Sequence, residues 1–103
     1  MYFPMTLEET RAEITRLDEE IIELIAERQA LGKKIAAIKH RDGIPVHDHQ
    51  RKSDVLAYVM QVAKEKHIDP VPIKTIFETL IAMNEKQQRE TLEKAAPSKK
   101  ILR

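Results

Sequence analysis

Apolar residues recur along the first forty positions in two interleaved rows: Leu7, Ile14, Ile21 and Ile35 in one, Leu17, Leu24, Leu31 and Ile38 in the other. Seven-residue spacing in paired rows is the pattern of a helix with one continuous apolar seam. Thr10 opens the second row, and Arg28 sits on the first between Ile21 and Ile35, the only charge on either row. Thr6 followed by Glu9 is a capping box, so the helix is expected to start at residue 7. Gly43 and Pro45 stop it, which predicts an end near residue 40.

Two shorter helices follow. Asp48 can cap a segment running to about Lys66, whose apolar face is Val55, Leu56, Val59, Val62 and Ala63. Asp69 with Pro70 opens a third, in which Ile68 can staple onto Ile73 and the face continues through Ile76, Phe77, Leu80 and Ile81 to about Leu92. The stretch KAAPSKKILR is polar, basic and broken by Pro97, so residues 95–103 read as a disordered tail behind one helical domain of residues 1–94. The fold class is all-α, three helices per chain with one very long.

That long helix forces a conclusion about assembly. It would span roughly 50 Å, whereas a compact chain of this size has a radius of gyration near 13 Å. One chain cannot cover such a seam, and two-fold pairing is the commonest remedy, so an intertwined homodimer is expected.

Composition narrows the function classes. The 103 residues carry 42% hydrophobic, 34% charged and 4% aromatic residues, two glycines and no cysteine. A helical protein without disulfides or thiolate metal sites fits this, and the cytoplasm is the expected compartment. Eighteen basic residues nearly balance 17 acidic ones for a net charge of +1, so no overall field points to nucleic acid or a membrane surface. No apolar run is long enough to cross a bilayer, and MYFPM lacks the regions of a signal peptide.

The candidate chemistry lies in polar residues on apolar faces. Eleven residues separate Arg28 from Lys39, a net rotation of about 20°, so the two point the same way about 16 Å apart. Gly32, one turn after Arg28, leaves room for a ligand or a closely packed helix. The stripe of Phe77 and Ile81 continues into Asn84 and Gln88, turning two amides inward. Arg51 stands in the first turn of the second helix beside Asp48, where the helix dipole does not favour a cation. Arg11 lies about 25 Å along the axis from Arg28, too far for both to hold one small molecule within a chain, but an antiparallel partner helix could deliver it. Two readings remain open: Arg28 pairs with a carboxylate in the seam and Lys39 is solvated surface, or the cations and amides surround a small dianion.

No cysteine and no Ser/His/Asp spacing supports a covalent mechanism, so positioning and electrostatic stabilisation are the plausible means of catalysis. His47, Asp48 and His49 do not form a recognised metal site, and neither a metal nor a cofactor is expected. His40 and His67 read as structural residues at helix ends.

In this order and spacing, the run from Leu17 to Arg28, Lys39, the G-I-P-V-x-D loop from Gly43 to Asp48, Arg51 and Gln88 resemble the AroQ class of chorismate mutases, an all-helical family of intertwined dimers. The resemblance covers residues 7 to 92. It implies rearrangement of chorismate to prephenate on the route to phenylalanine and tyrosine. It also implies that Arg28, with Arg11 from the other subunit, grips the substrate's two carboxylates, and that Lys39 and Gln88 donate to the ether oxygen. Asp48 and Arg51 match family positions near the ring and its hydroxyl.

Two residues depart from that pattern. Lys52 stands where the family usually carries a glutamate that contacts the hydroxyl; lysine cannot accept that bond, so it either donates to the hydroxyl oxygen or turns outward and leaves the place to water. Asn84 stands where serine is frequent, and an amide can still donate. The alternatives are isochorismate pyruvate lyase on the same fold, and a non-enzymatic helical dimerisation or regulatory module. A structural seam should place carboxylates beside its cations, yet neither heptad row contains one; Asp18 and Glu27 could pair across a dimer.

Overall fold

In a computed structural model, which describes residues 5–95, the chain forms three α-helices: α1 over Leu7–Asp42, α2 over His49–Glu65 and α3 over Pro70–Ala95. Each start is set by the expected local chemistry. Thr6 Oγ1 accepts from the Glu9 backbone N–H at 3.1 Å while Glu9 Oε1 accepts from the Thr6 N–H at 2.9 Å, completing the capping box. That backbone bond, with the bond to the Thr6 side chain, holds the Glu9 carboxyl below its ordinary value. Asp48 Oδ1 takes the Arg51 N–H at 3.0 Å, and Asp69 Oδ1 the Val71 N–H at 3.0 Å.

The ends are set by left-handed residues. Gly43 at φ 70° lets the Ile44 N–H reach back to the Lys39 carbonyl at 2.8 Å, so α1 continues two residues past the expected end. At the end of α2 the same geometry falls on His67, at φ 61°, with the Ile68 N–H on the Ala63 carbonyl at 2.8 Å. This gives His67 a structural role, at some backbone cost, since a side chain there is disfavoured. α3 runs three residues beyond Leu92; of the expected tail, residues 96–103 lie outside the described residues.

α3 is the keystone. It packs on both α1 and α2, whereas α1 and α2 do not pack on each other among the described residues. The molecule is therefore an open, elongated figure of 71 × 28 × 17 Å with a radius of gyration of 18.9 Å, well above the roughly 13 Å of a compact chain this long. The covered face of α1 is Ile25, Arg28, Gln29, Gly32, Ala36 and Lys39, of which only Gly32 and Ala36 are fully buried. Small residues there let α3 approach closely.

Apart from Arg28, the two apolar rows stay exposed: Leu7 is 65% exposed, Ile14 and Ile21 each 53%, Leu24 61% and Leu31 55%. Ala36 and Ala63 are the fully buried apolar side chains among the described residues. Little of the chain's apolar surface is thus fully buried within one copy. No helix among the described residues is long and apolar enough to cross a membrane.

Candidate active site

Because α3 packs on both other helices, which among the described residues do not pack on each other, a cleft of about 400 Å³ is left among the three. This is within the usual range for a small-molecule site. α1 contributes Arg28, Leu31, Ile35 and Lys39; the loop and α2 contribute Val46, Asp48, Arg51, Lys52 and Val55; α3 contributes Ile81, Asn84, Glu85 and Gln88. Seven of the eight site residues expected from the sequence thus converge on one cavity: Arg28, Lys39, Asp48, Arg51, Lys52, Asn84 and Gln88. Arg11 is not among them; it lies exposed on the N-terminal part of α1.

Each cation is placed by its backbone. Arg28 and Lys39 share the covered face of α1, and the Arg28 guanidinium carbon lies 5.9 Å from the centroid of the Phe77 ring, a cation–π contact. Lys39 Nζ donates to the Val46 carbonyl at 2.6 Å, tying the loop after α1 back to the helix. Arg51 and Lys52 enter from the first turn of α2, beside the Asp48 cap. Among the described residues no ion pair engages any of these four cations.

Two carboxylates share the wall, Asp48 and Glu85. Asp48 is occupied with its helix N-terminus. Glu85, half-buried, was not singled out from the sequence: its Oε2 meets His47 Nδ1 at 2.8 Å and its Oε1 lies 3.8 Å from Arg89. His47 in turn meets His49 through its other ring nitrogen, Nε2 to Nδ1 at 3.2 Å. The signal for Glu85 was its spacing of eight from Phe77 on the inward stripe, which a glutamate on a long helix otherwise hides as ordinary solvent-facing charge. The lining has four cations against two carboxylates, a surplus of two positive charges, and contains no cysteine, serine or histidine to act as nucleophile or base.

The amides form a chain of their own. Asn84 Nδ2 donates to the Arg28 carbonyl at 3.0 Å and to Gln29 Oε1 at 3.4 Å, while Asn84 Oδ1 accepts from Gln88 Nε2 at 3.1 Å. Gln88 is 4% exposed, and its Oε1 has no hydrogen-bond partner among the described residues. Gly32 sits directly against this chain: a Cβ built there would lie 2.6 Å from Asn84 Nδ2. Such an arrangement can hold a small dianion and donate hydrogen bonds to negative charge developing inside it.

Comparison with known proteins agrees with that chemistry. The family model for type II chorismate mutases matches residues 10–89. The chorismate mutase of Methanocaldococcus jannaschii is 39% identical over 88 residues, covering 84% of this chain and 88% of that protein. The secreted chorismate mutase of Mycobacterium tuberculosis is 32% identical over 75 residues, 73% of this chain and 38% of that one. The bifunctional chorismate mutase/prephenate dehydratase of Aquifex aeolicus is 39% identical over 59 residues, 57% of this chain but only 16% of that longer protein.

Proposed function

The chain belongs to the type II chorismate mutase family, and from that premise we propose that its three-helix cavity binds chorismate and rearranges it to prephenate. The observation that carries the reading is the convergence of Arg28, Lys39 and Gln88 on one cavity whose cations, among the described residues, are engaged by no ion pair. A surplus of two positive charges suits the two carboxylates of the substrate.

The reaction is unimolecular. One carbon–oxygen bond breaks as a carbon–carbon bond forms, with no proton transfer, so the lining needs to supply neither a nucleophile nor a base. Negative charge grows on the ether oxygen as its bond to the ring lengthens. Donors fixed beforehand by Lys39 and Gln88 therefore bind the transition state more strongly than the substrate. Lys39 is held by its bond to Val46, and Gln88 by burial and by Asn84, so little reorganisation is needed when the charge appears. Arg28 holds a carboxylate, and confinement keeps the enolpyruvyl arm over the ring. Asp48 and Arg51 face the ring side. Lys52 lines the cavity, which supports its donating to the oxygen of the ring hydroxyl, with the Glu85 carboxylate in the same wall to accept the hydroxyl proton in a hydrogen bond.

We further assign the assembly as a two-fold homodimer along α1. Positions 11 and 28 are symmetric about the middle of residues 19 and 20, so an antiparallel second copy centred there brings its Arg11 to this chain's Arg28. The same pairing covers Ile14, Leu17, Ile21 and Leu24, all about half exposed or more. The absence of cysteine supports a reducing compartment, the cytoplasm. The lyase and the non-enzymatic module are not favoured by the family match.

The experiment is an assay of purified protein with chorismate and, separately, isochorismate, following prephenate and pyruvate. Prephenate from chorismate is the expected outcome. Pyruvate from isochorismate alone, or no turnover of either, overturns the reading.

A further inference from the structure

Gln88 has a carboxamide with a donor end and an acceptor end of nearly the same shape. In a buried site the choice between them decides whether the residue can stabilise negative charge or repels it. Nothing in Gln88 itself makes that choice. The geometry of its neighbours does.

The chain of amides starts at a group with only one role. The Arg28 backbone carbonyl can only accept, so the end of Asn84 that faces it at 3.0 Å must be the NH₂. Gln29 Oε1, at 3.4 Å from the same nitrogen, adds a second acceptor on that side. Asn84 Oδ1 is then left facing Gln88, which must present its own NH₂ at 3.1 Å. Turning the Gln88 carboxamide over would set oxygen against oxygen in a half-buried place, which is costly. One N–H of Gln88 is spent on Asn84, and the second remains for a ligand.

We propose that Asn84 is a positioning residue: clamped to the Arg28 carbonyl, it fixes the polarity of the Gln88 carboxamide so that Gln88 meets the substrate as a donor. Both N–H groups of Asn84 are taken, by the Arg28 carbonyl and Gln29 Oε1, so Asn84 has no donor left for an anionic substrate. Gly32 belongs to the same device, because any side chain there would bring a carbon to 2.6 Å of Asn84 Nδ2 and push the clamp off the Arg28 carbonyl. The inference rests on the reading of Gln88 as a donor to the substrate's ether oxygen.

A double-mutant cycle with steady-state kinetics tests it. Asn84→Ala should lower kcat about tenfold, the loss of roughly one well-placed hydrogen bond, with KM within about twofold of the parent. Gln88→Ala should lower kcat further, and the double variant should be no slower than Gln88→Ala alone, because Asn84 has nothing left to orient. Equal losses from Asn84→Ala in both backgrounds, or a raised KM with kcat unchanged, overturn the proposal and make Asn84 an independent substrate contact. A Gln88→Ala variant with parental kcat overturns the donor reading beneath it instead.

Gly32→Ala removes no polar group and keeps the helix. It should reduce kcat in the parent and cost much less in the Asn84→Ala background, where only the contact of the new Cβ with Gln87 Oε1 at 2.9 Å is left. In the unaltered protein, one of the two Gln88 side-chain NH₂ protons, the one held by Asn84 Oδ1, should exchange with solvent more slowly than the other; equally rapid exchange of both overturns the clamp.

Discussion

Replacing Arg28 by leucine separates catalysis from folding at one position. The guanidinium has no acidic partner among the described residues and touches the Phe77 ring at 5.9 Å. Losing that cation–π contact costs about 0.5–1 kcal/mol. Leucine returns apolar contact on a half-buried face and removes the desolvation of a cation, so the net change in stability should be within about 1 kcal/mol. The substrate side is different. Two charge-assisted hydrogen bonds to a carboxylate contribute about 1.5–3 kcal/mol each, so losing both costs about 3–6 kcal/mol, or roughly 10²–10⁴-fold in kcat/KM.

The assay is the disappearance of chorismate over a range of concentrations, paired with urea unfolding of the same preparation. Arg28→Lys keeps the charge but not the planar fork, and should fall between the leucine variant and the parent. A leucine variant with kcat/KM within tenfold of the parent refutes the role of Arg28. So does a loss of activity matched by an equal loss of folded protein.

Lys39→Ala should lower kcat about 10²-fold or more with a smaller effect on KM, because its bond strengthens as charge develops; an effect confined to KM contradicts that role. Lys52→Glu reduces the cationic surplus of the cavity while placing an acceptor near the hydroxyl, so KM should rise a few-fold and kcat change modestly; complete inactivation would mean the lysine itself is required. Ile21→Asp lies outside the cavity on a seam residue that is 53% exposed. Half-burial of an isoleucine contributes about 1 kcal/mol, about 2 over both copies, and a buried carboxylate adds a larger cost. Sedimentation should show dissociation together with loss of activity, and an active monomer would overturn the assignment of Arg11 to a neighbouring copy.

What could be read in the sequence was whatever depended on neighbours along the chain. Helix starts were legible because Thr6 with Glu9, Asp48, and Asp69 with Pro70 satisfy backbone N–H groups within a few residues of themselves. Helix ends were less so. α3 outlasts Leu92 by three residues because no local stop intervenes before Pro97, and α2 turns on His67, a residue that does not advertise a left-handed conformation. The heptad rows announced a long helix and an odd arginine, helical spacing and capping added Lys39, Asn84, Gln88, Arg11, Asp48 and Arg51, and the resemblance to a known family supplied Lys52 and the roles.

The tertiary structure decided which of those residues share a wall. Arg28, Lys39, Arg51 and Gln88 come from three helices, and only the packing of α3 on both α1 and α2 draws them around one cavity. Glu85 lies on the inward stripe of α3, but its bond to a loop histidine 38 positions away is a relation no periodicity encodes. Asn84 was legible as an inward amide, but its partners were not: the Arg28 carbonyl is a backbone group, present at every position and invisible in the residue pattern until a fold brings one of them within 3.0 Å. Short-range hydrogen bonding and helical period are written in neighbouring letters, so the sequence determined the helices. Side-chain polarity at the site depends on contacts between distant helices, so only the folded chain could decide it.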